Sequence, residues 1–138
     1  VIEANRMHLL FTDASQQFIY YMFQMPSDYG SGLKLLISQA ADSATSGTFT
    51  WKFAFWALSS GDSADVNSPS YDTTEAINIA VAGTAGYMTQ GTDTPSNLDS
   101  LAADDLVTLQ FYRDPGSSGD TAAGSAELYG LTLKYTAS

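Results

Sequence analysis

Apolar and polar residues alternate at a spacing of two through most of this chain, and no long stretch repeats its apolar residues at helical spacing. Met7–Thr12 (MHLLFT) reads as a first strand, and Gln17–Met25 (QFIYYMFQM), closed by Pro26, as a second. The second is apolar on both faces, with Phe18, Tyr20 and Met22 on one and Ile19, Tyr21 and Phe23 on the other. A strand of that kind is predicted to be covered twice, by its own core and by something else. After the SDYGSG turn, Leu33–Gln39 reads as a third strand. Thr48–Leu58 (TFTWKFAFWAL) follows, with Trp51, Phe53 and Phe55 alternating with Lys52, Ala54 and Trp56.

Beyond the long polar loop SSGDSADVNSPSYD, the spacing of Ile77, Ile79 and Val81 favours a strand over Glu75–Ala82. GYMTQGTDTPSN holds a further short strand interrupted at Gly91, and Leu98–Asp105 reads as a capped turn or single helical turn with Asp99 or Ser100 as cap. Leu106–Arg113 directs Val107, Leu109 and Phe111 to one face. The last strand, AELYGLTLKYT, is predicted to face Tyr129, Leu131, Leu133 and Tyr135 inward and Lys134 outward. The sum is an all-β fold: one domain over residues 1–138, an antiparallel, jelly-roll-like β-sandwich of about eight strands.

Charge narrows the partners. Five Lys+Arg stand against 15 Asp+Glu, a formal net charge of -10, and the cations are scattered singly. Phosphate backbones and anionic membrane surfaces need clustered cations, so neither nucleic acid nor membrane is expected as a partner. With no cysteine, disulfides and thiolate metal sites are excluded. The chain opens on Val1 with no basic-then-apolar leader pattern, and without an initiator Met an N-terminal piece is expected to have been removed or to lie outside this sequence.

Candidate chemistry is sparse. In RDPGSSGD, Asp114 and Asp120 could offer oxygens to calcium, but the spacing of an EF-hand is absent and the turn reading is favoured, with Arg113 pairing a carboxylate at the surface. Asp62, Asp65 and Asn67 form a second polar cluster that reads as a solvated loop. His8 is the one histidine, too few for a zinc set, and no Gly-x-Ser-x-Gly elbow presents a serine to it; it reads as a strand residue facing an edge or interface. Asp104 and Asp105 are adjacent and point apart on an extended chain, while Glu75 and Glu127 stand singly. No catalytic, cofactor-binding or metal-ligating residue is assigned, no cofactor is expected, and the chain reads as non-enzymatic.

Aromatic residues make up 12% of the chain, which directs attention to surfaces instead of pockets. Trp56, out of phase with its neighbours, is expected at an interface more than at a ligand. Several stretches also share an order: FTDASQQFIYYMFQMPSDYGSGLKLLISQAADSATSGTFTWKFAFWAL, then GYMTQGTDTPSNLDSLAADDLVTLQFYRD, then GDTAAGSAELYGLTLKY. Together, from Phe11 to Tyr135, they resemble a family of small virion proteins of tailed bacteriophages. That family has an aromatic strand ending in a Met/Leu-Pro turn, a Ser-Ala-Thr-Ser-Gly turn before a Trp-bearing strand, and a strand ending in Arg-Asp.

The resemblance implies a structural, non-enzymatic role as a head decoration or cement protein in the virion. It further implies residues 1–6 as the remnant of an N-terminal arm, assembly in the host cytoplasm, partners in the major capsid protein or another virion protein, and association with itself as a homotrimer. A tail- or fibre-associated carbohydrate-binding or receptor-binding module, stacking sugars on Trp56 or Tyr87, is the alternative. A cupin-like or hydrolytic enzyme is the third reading, disfavoured by the lack of ligating side chains.

Overall fold

The computed structural model describes Ile2–Glu3 and residues 6–138, with side chains from Met7 onward. Ten strands follow in chain order: β1 (Ile2–Glu3), β2 (Arg6–Met7), β3 (Leu9–Phe11), β4 (Phe18–Gln24), β5 (Tyr29–Ala41), β6 (Thr48–Leu58), β7 (Glu75–Ala80), β8 (Thr89–Asp93), β9 (Leu106–Arg113) and β10 (Ala126–Ala137). No helix occurs among the described residues. The arm read into residues 1–6 lies outside them, apart from the backbone of a small β1–β2 ribbon.

Two four-stranded antiparallel sheets carry the rest, in the orders β3-β10-β5-β8 and β4-β9-β6-β7. Each sheet alternates strands from the two ends of the chain, and successive strands from β3 to β6 cross from one sheet to the other. This is the double Greek key of a jelly roll. Connectivity of this kind comes from long-range pairing, which is why strand patterns alone leave it open.

The core lies between the sheets and is built from the alternation. Phe49, Trp51, Phe53 and Phe55 of β6, with Val107, Leu109 and Phe111 of β9, meet Leu33, Leu35 and Ile37 of β5, all fully buried. Trp51 stacks on Phe111 at 5.1 Å and takes Phe11 edge-on at 5.1 Å. Its indole N–H also donates to Gln39 Oε1 at 2.6 Å, while Gln39 Nε2 donates to the Ile79 carbonyl at 3.1 Å. A buried amide thus bridges the two sheets with its polar atoms partnered, the condition for tolerating it in the core.

Several details depart from the sequence reading. β5 is longer than Leu33–Gln39 at both ends. β8 runs unbroken through Gly91, whose role is close approach: a Cβ there would lie 2.5 Å from Ile79 Cγ1, so β8 rests directly on β7. The 98–105 segment holds no helical turn; Asp99 and Ser100 both take positive φ, and Leu101 N bonds the Leu98 carbonyl at 3.0 Å. In β10 the register slips between Leu128 and Gly130. Ala126 and Leu128 therefore face the core before the slip, and Leu131, Leu133 and Tyr135 after it. Tyr129 is carried to the opposite face, against the inward orientation expected of it, and lies with its ring 5.0 Å from His8.

The largest correction concerns Arg113. Expected at the surface, it is buried, and its ion pair with Asp120 (2.7 Å) leaves the two side chains 1% and 2% exposed. Nε and Nη2 grip the Asp120 carboxylate at 2.9 and 2.7 Å; Nη1 donates to the carbonyls of Phe11 (3.2 Å) and Gly124 (2.6 Å), and Nη2 to that of Ala122 (3.1 Å). All five guanidinium donors are used. The guanidinium carbon also sits 4.4 Å above the Phe49 ring. RDPGSSGD is thus the turn between β9 and β10, as read, and its Arg and second Asp clamp that end of the sandwich shut.

Two stability predictions follow from these contacts. Asp120→Asn leaves a buried guanidinium without its counter-charge and is expected to cost about 3–5 kcal/mol in urea unfolding. Gly91→Ala forces Ile79 aside and is expected to cost about 1–3 kcal/mol in the same measurement; no loss would mean β8 and β7 are not in tight apposition.

Candidate functional site

The sandwich is closed along one side and open along the other. At the β7/β8 side the Gly91 approach seals the sheets. At the other side, β3 spans three residues and pairs β10 only over Ala126–Leu128. From Gly130 onward β10 is paired by β5 alone, and β4 is paired by β9 alone, among the described residues. Two unpaired strand edges therefore border one cleft.

That cleft is apolar. One part, about 430 Å³, is lined by Met7, His8, Leu9, Ile19, Tyr21 and Leu131 among others. A second, about 330 Å³, continues past Tyr21 and Leu131 to Phe23, Met25, Leu133 and Tyr135. Its rim is exposed hydrocarbon and ring: Met7 is 75% exposed, Leu9 48% and Tyr21 54%. On the outer face of β4, Phe18, Tyr20 and Met22 are likewise exposed. The strand predicted to be covered twice is covered once: Ile19 and Phe23 are half-buried against the core, while its outer face is open to solvent. Phe18 leans on Tyr112 at 4.4 Å, and Tyr20 lies 6.4 Å from Tyr71.

The patch is electrically quiet. Between Asp13 and Asp28 there is no Asp, Glu, Lys, Arg or His in a chain of net charge -10. On the outer face of this sheet Lys52 and Asp114 neutralise each other at 2.6 Å, and at the far end of β4 Asp104 takes the Gln24 amide on its carbonyl and the Ser27 hydroxyl on its carboxylate. The Lys52 ammonium, with Gln16 Nε2 at 2.9 Å, holds the Asp114 carboxyl below its ordinary range. Asp93 moves the other way: burial, and then the charge of Glu75, push it up.

The residues singled out for chemistry are dispersed and occupied. Both Asp120 oxygens bind Arg113, and Asp114 serves Lys52, Gln16 and the Gly116 amide. Asp62 accepts from Ser59 N and Asp65 from Asn67 N, both at 2.9 Å, the short-range bonds of polar turns. Among the described residues no cluster of three or more His, Asp or Glu is placed to hold a metal. Asp105 is buried, accepting from Ser59 Oγ and Ala102 N, and Asp104 accepts from Ser27 Oγ. Glu75, on β7, binds the amides of Ser96 and Asn97, whereas Glu127, on β10 in the other sheet, takes the Tyr129 hydroxyl at 2.8 Å. These two carboxylates do not form a pair.

Trp56 is buried as well, under Tyr71 at a ring distance of 6.1 Å. The 59–74 loop of its own chain supplies the cover that was expected from a neighbour. Met7, Leu9 and the β10 face of the cleft escaped sequence reading because they look like ordinary core residues. They are exposed only because β3 stops short, and Gly130 in the last strand is the one local sign of the slip.

Comparison with protein-family models and with curated proteins finds no match to this chain.

Among the shifted carboxylates, Asp93 and Asp114 make opposite predictions. Asp93 has a raised folded pKa, so its charge costs stability above that value and the cost disappears below the ordinary carboxylate range. Asp93→Asn is expected to raise Tm at pH 7, with the gain gone at pH 3. Asp114, with a depressed folded pKa, contributes stability above the ordinary range that is lost as pH falls through its folded value. Asp114→Asn is expected to lower Tm at pH 7, the difference closing toward pH 2. Thermal unfolding across pH 2–7 reads both.

Proposed function

We propose that this protein is a non-enzymatic structural component of a tailed-phage virion, a decoration or cement protein that coats the head shell as an oligomer and stabilises it. The observation that carries this reading is the uncharged aromatic edge of β4, exposed beside an open apolar cleft in an otherwise strongly acidic molecule. Such a patch is at the upper end of what monomers leave in water and marks interaction surfaces, and Tyr, Phe and Met are the residues enriched in the buried centres of protein interfaces. The jelly-roll topology supports the reading by analogy, since capsid proteins use it, though lectins and cupins do too. The partners in this reading are further copies of the chain and the major capsid protein or another shell component, and its place is the assembled virion.

Tyr87, 65% exposed beside an exposed Met88, supports a second reading, a tail- or fibre-associated module that stacks sugars. Trp56 cannot be the platform for it while Tyr71 covers its ring.

The decisive measurement is quantitative mass spectrometry and cryo-EM of purified virions of the phage that encodes the chain. The expected result is a copy number in simple proportion to the major capsid protein and density on the outer shell. Tyr20→Asp with Met22→Asp is expected to strip the protein from particles while leaving its Tm within a few degrees. A chain absent from particles, or present only at the tail tip and eluted by glycans, would displace this reading.

A further inference from the structure

Resting on the reading that other copies cover the β4 face, we propose that the occupant is β4 of a second copy, paired antiparallel across a two-fold axis at Tyr21. The two four-stranded sheets β4-β9-β6-β7 then join into one of eight strands.

Four observations lead there. First, β4 is a terminal strand with its outer edge unpaired among the described residues, and it carries none of the usual guards of an edge: no proline, no charge and no bulge in its pairing with β9. Second, its seven residues are centred on Tyr21, so full antiparallel overlap sets Tyr21 against its symmetry mate. Tyr20 then opposes Met22, Ile19 opposes Phe23, and Phe18 opposes Gln24. Each facing pair is apolar or neutral and falls on the same face of the joined sheet, as cross-strand stabilisation requires.

Third, a chain of net charge -10 repels its own copies at most approaches. The charge-free stretch from residue 14 to 27 lets two copies meet without setting like charges opposite one another. Fourth, the area is of the right order. Aromatic side chains of about 150–250 Å² each, roughly half exposed at Phe18, Tyr20 and Tyr21, combine with Met7 and Met22. They leave on the order of 600 Å² exposed around this edge, an upper bound on what pairing can cover and the same order as the ~800 Å² that each partner buries in a stable complex.

A two-fold edge contact uses the same patch on both molecules and closes at two copies. The three-fold assembly implied by the phage resemblance needs two different patches on each molecule. The β4 edge is self-complementary, so the geometry favours the dimer.

The test begins with the unaltered chain by light scattering after size exclusion. The expected mass is that of a dimer; a monomer over the whole accessible concentration range, or a trimer, overturns the proposal. Because the chain has no cysteine, Tyr21→Cys places a single thiol at the axis. Paired strands bring opposed Cα atoms to about 4.5–5.5 Å, within disulfide reach. Most chains of Tyr21→Cys are expected to cross-link under mild oxidation and few of Tyr87→Cys, a still more exposed site elsewhere. A dimer that fails to cross-link at position 21 also refutes the arrangement.

Tyr21→Lys is expected to raise the dimer dissociation constant by roughly tenfold or more, through like charges at the axis. Should the variants fold poorly, hydrogen exchange on the unaltered dimer decides: β4 amides slow with rising concentration if the edge is paired, and unchanged exchange counts against it. Binding to virions is scored separately. A dimer absent from particles would remove the virion role and leave the pairing intact, and a particle-bound chain that never pairs would do the reverse.

Discussion

Everything at the β9–β10 end of this molecule is arranged around one buried cation. Removing a guanidinium from water costs several kcal/mol, and the fold offsets that with a two-point carboxylate contact, three backbone carbonyls and an aromatic face. Those partners come from three places in the chain: the end of β3, the loop before β10, and β6 beneath. Arg113 itself ends β9, in the sheet opposite β3. The side chain therefore joins the sheets at a point where no strand pairing can. It also locates Phe11, and with it the short β3, at the corner of the sandwich. Gly47 takes part in the same closure, since its positive φ and tight approach to the 121–122 backbone leave no room for a Cβ.

The position of β3 decides what stays uncovered. Held at Phe11 and paired for three residues, it shields the start of β10 and then leaves the edge. The register slip at Leu128–Gly130 coincides with that departure and turns Leu131, Leu133 and Tyr135 toward the gap between the sheets. Opposite them, β4 contributes Ile19, Tyr21 and Phe23. A sandwich is dry only where both sheets reach equally far, so this mismatch of strand lengths produces the apolar cleft without any residue being specialised for it. The clamp that secures one end of the fold and the opening along its side are two outcomes of the same short strand.

This explains which features were legible in the sequence. β6 and β9 were readable end to end because each is apolar at every second position and buried against the facing sheet, so local pattern and tertiary environment agree. The two-sided character of β4 was visible too. What covers its outer face was not, because hydrophobicity records that a surface is costly in water and is silent about who relieves it. Trp56 shows the ambiguity from the other side: equally out of phase, it is covered by Tyr71 from a loop that reads as polar and unstructured. Arg113 was misjudged for a different reason. A single Arg beside Asp, Pro and Gly has the composition of a surface turn, and its burial depends on Phe49, Phe11 and Ala122, which sequence proximity does not connect. The left-handed Asp99–Ser100 pair was missed because a polar pair ahead of apolar residues fits a helix cap and a turn alike.

An acidic surface and an uncharged edge act as one system. A net charge of -10 keeps copies apart in most orientations, which suppresses the indiscriminate edge-to-edge association that an unguarded strand invites. The same repulsion makes the charge-free edge selective, since only an approach centred there avoids it. Soluble proteins that keep edge strands monomeric place a lysine, a proline or a bulge on the strand itself. Here the protection is displaced to the rest of the surface, and the strand is left free to pair. Its strength should then depend on ionic strength in an informative sense. In the proposed dimer, added salt screens the repulsion between the two acidic bodies more than it alters the burial of neutral rings, so association through β4 is expected to strengthen with salt, whereas an interface built on ion pairs would weaken.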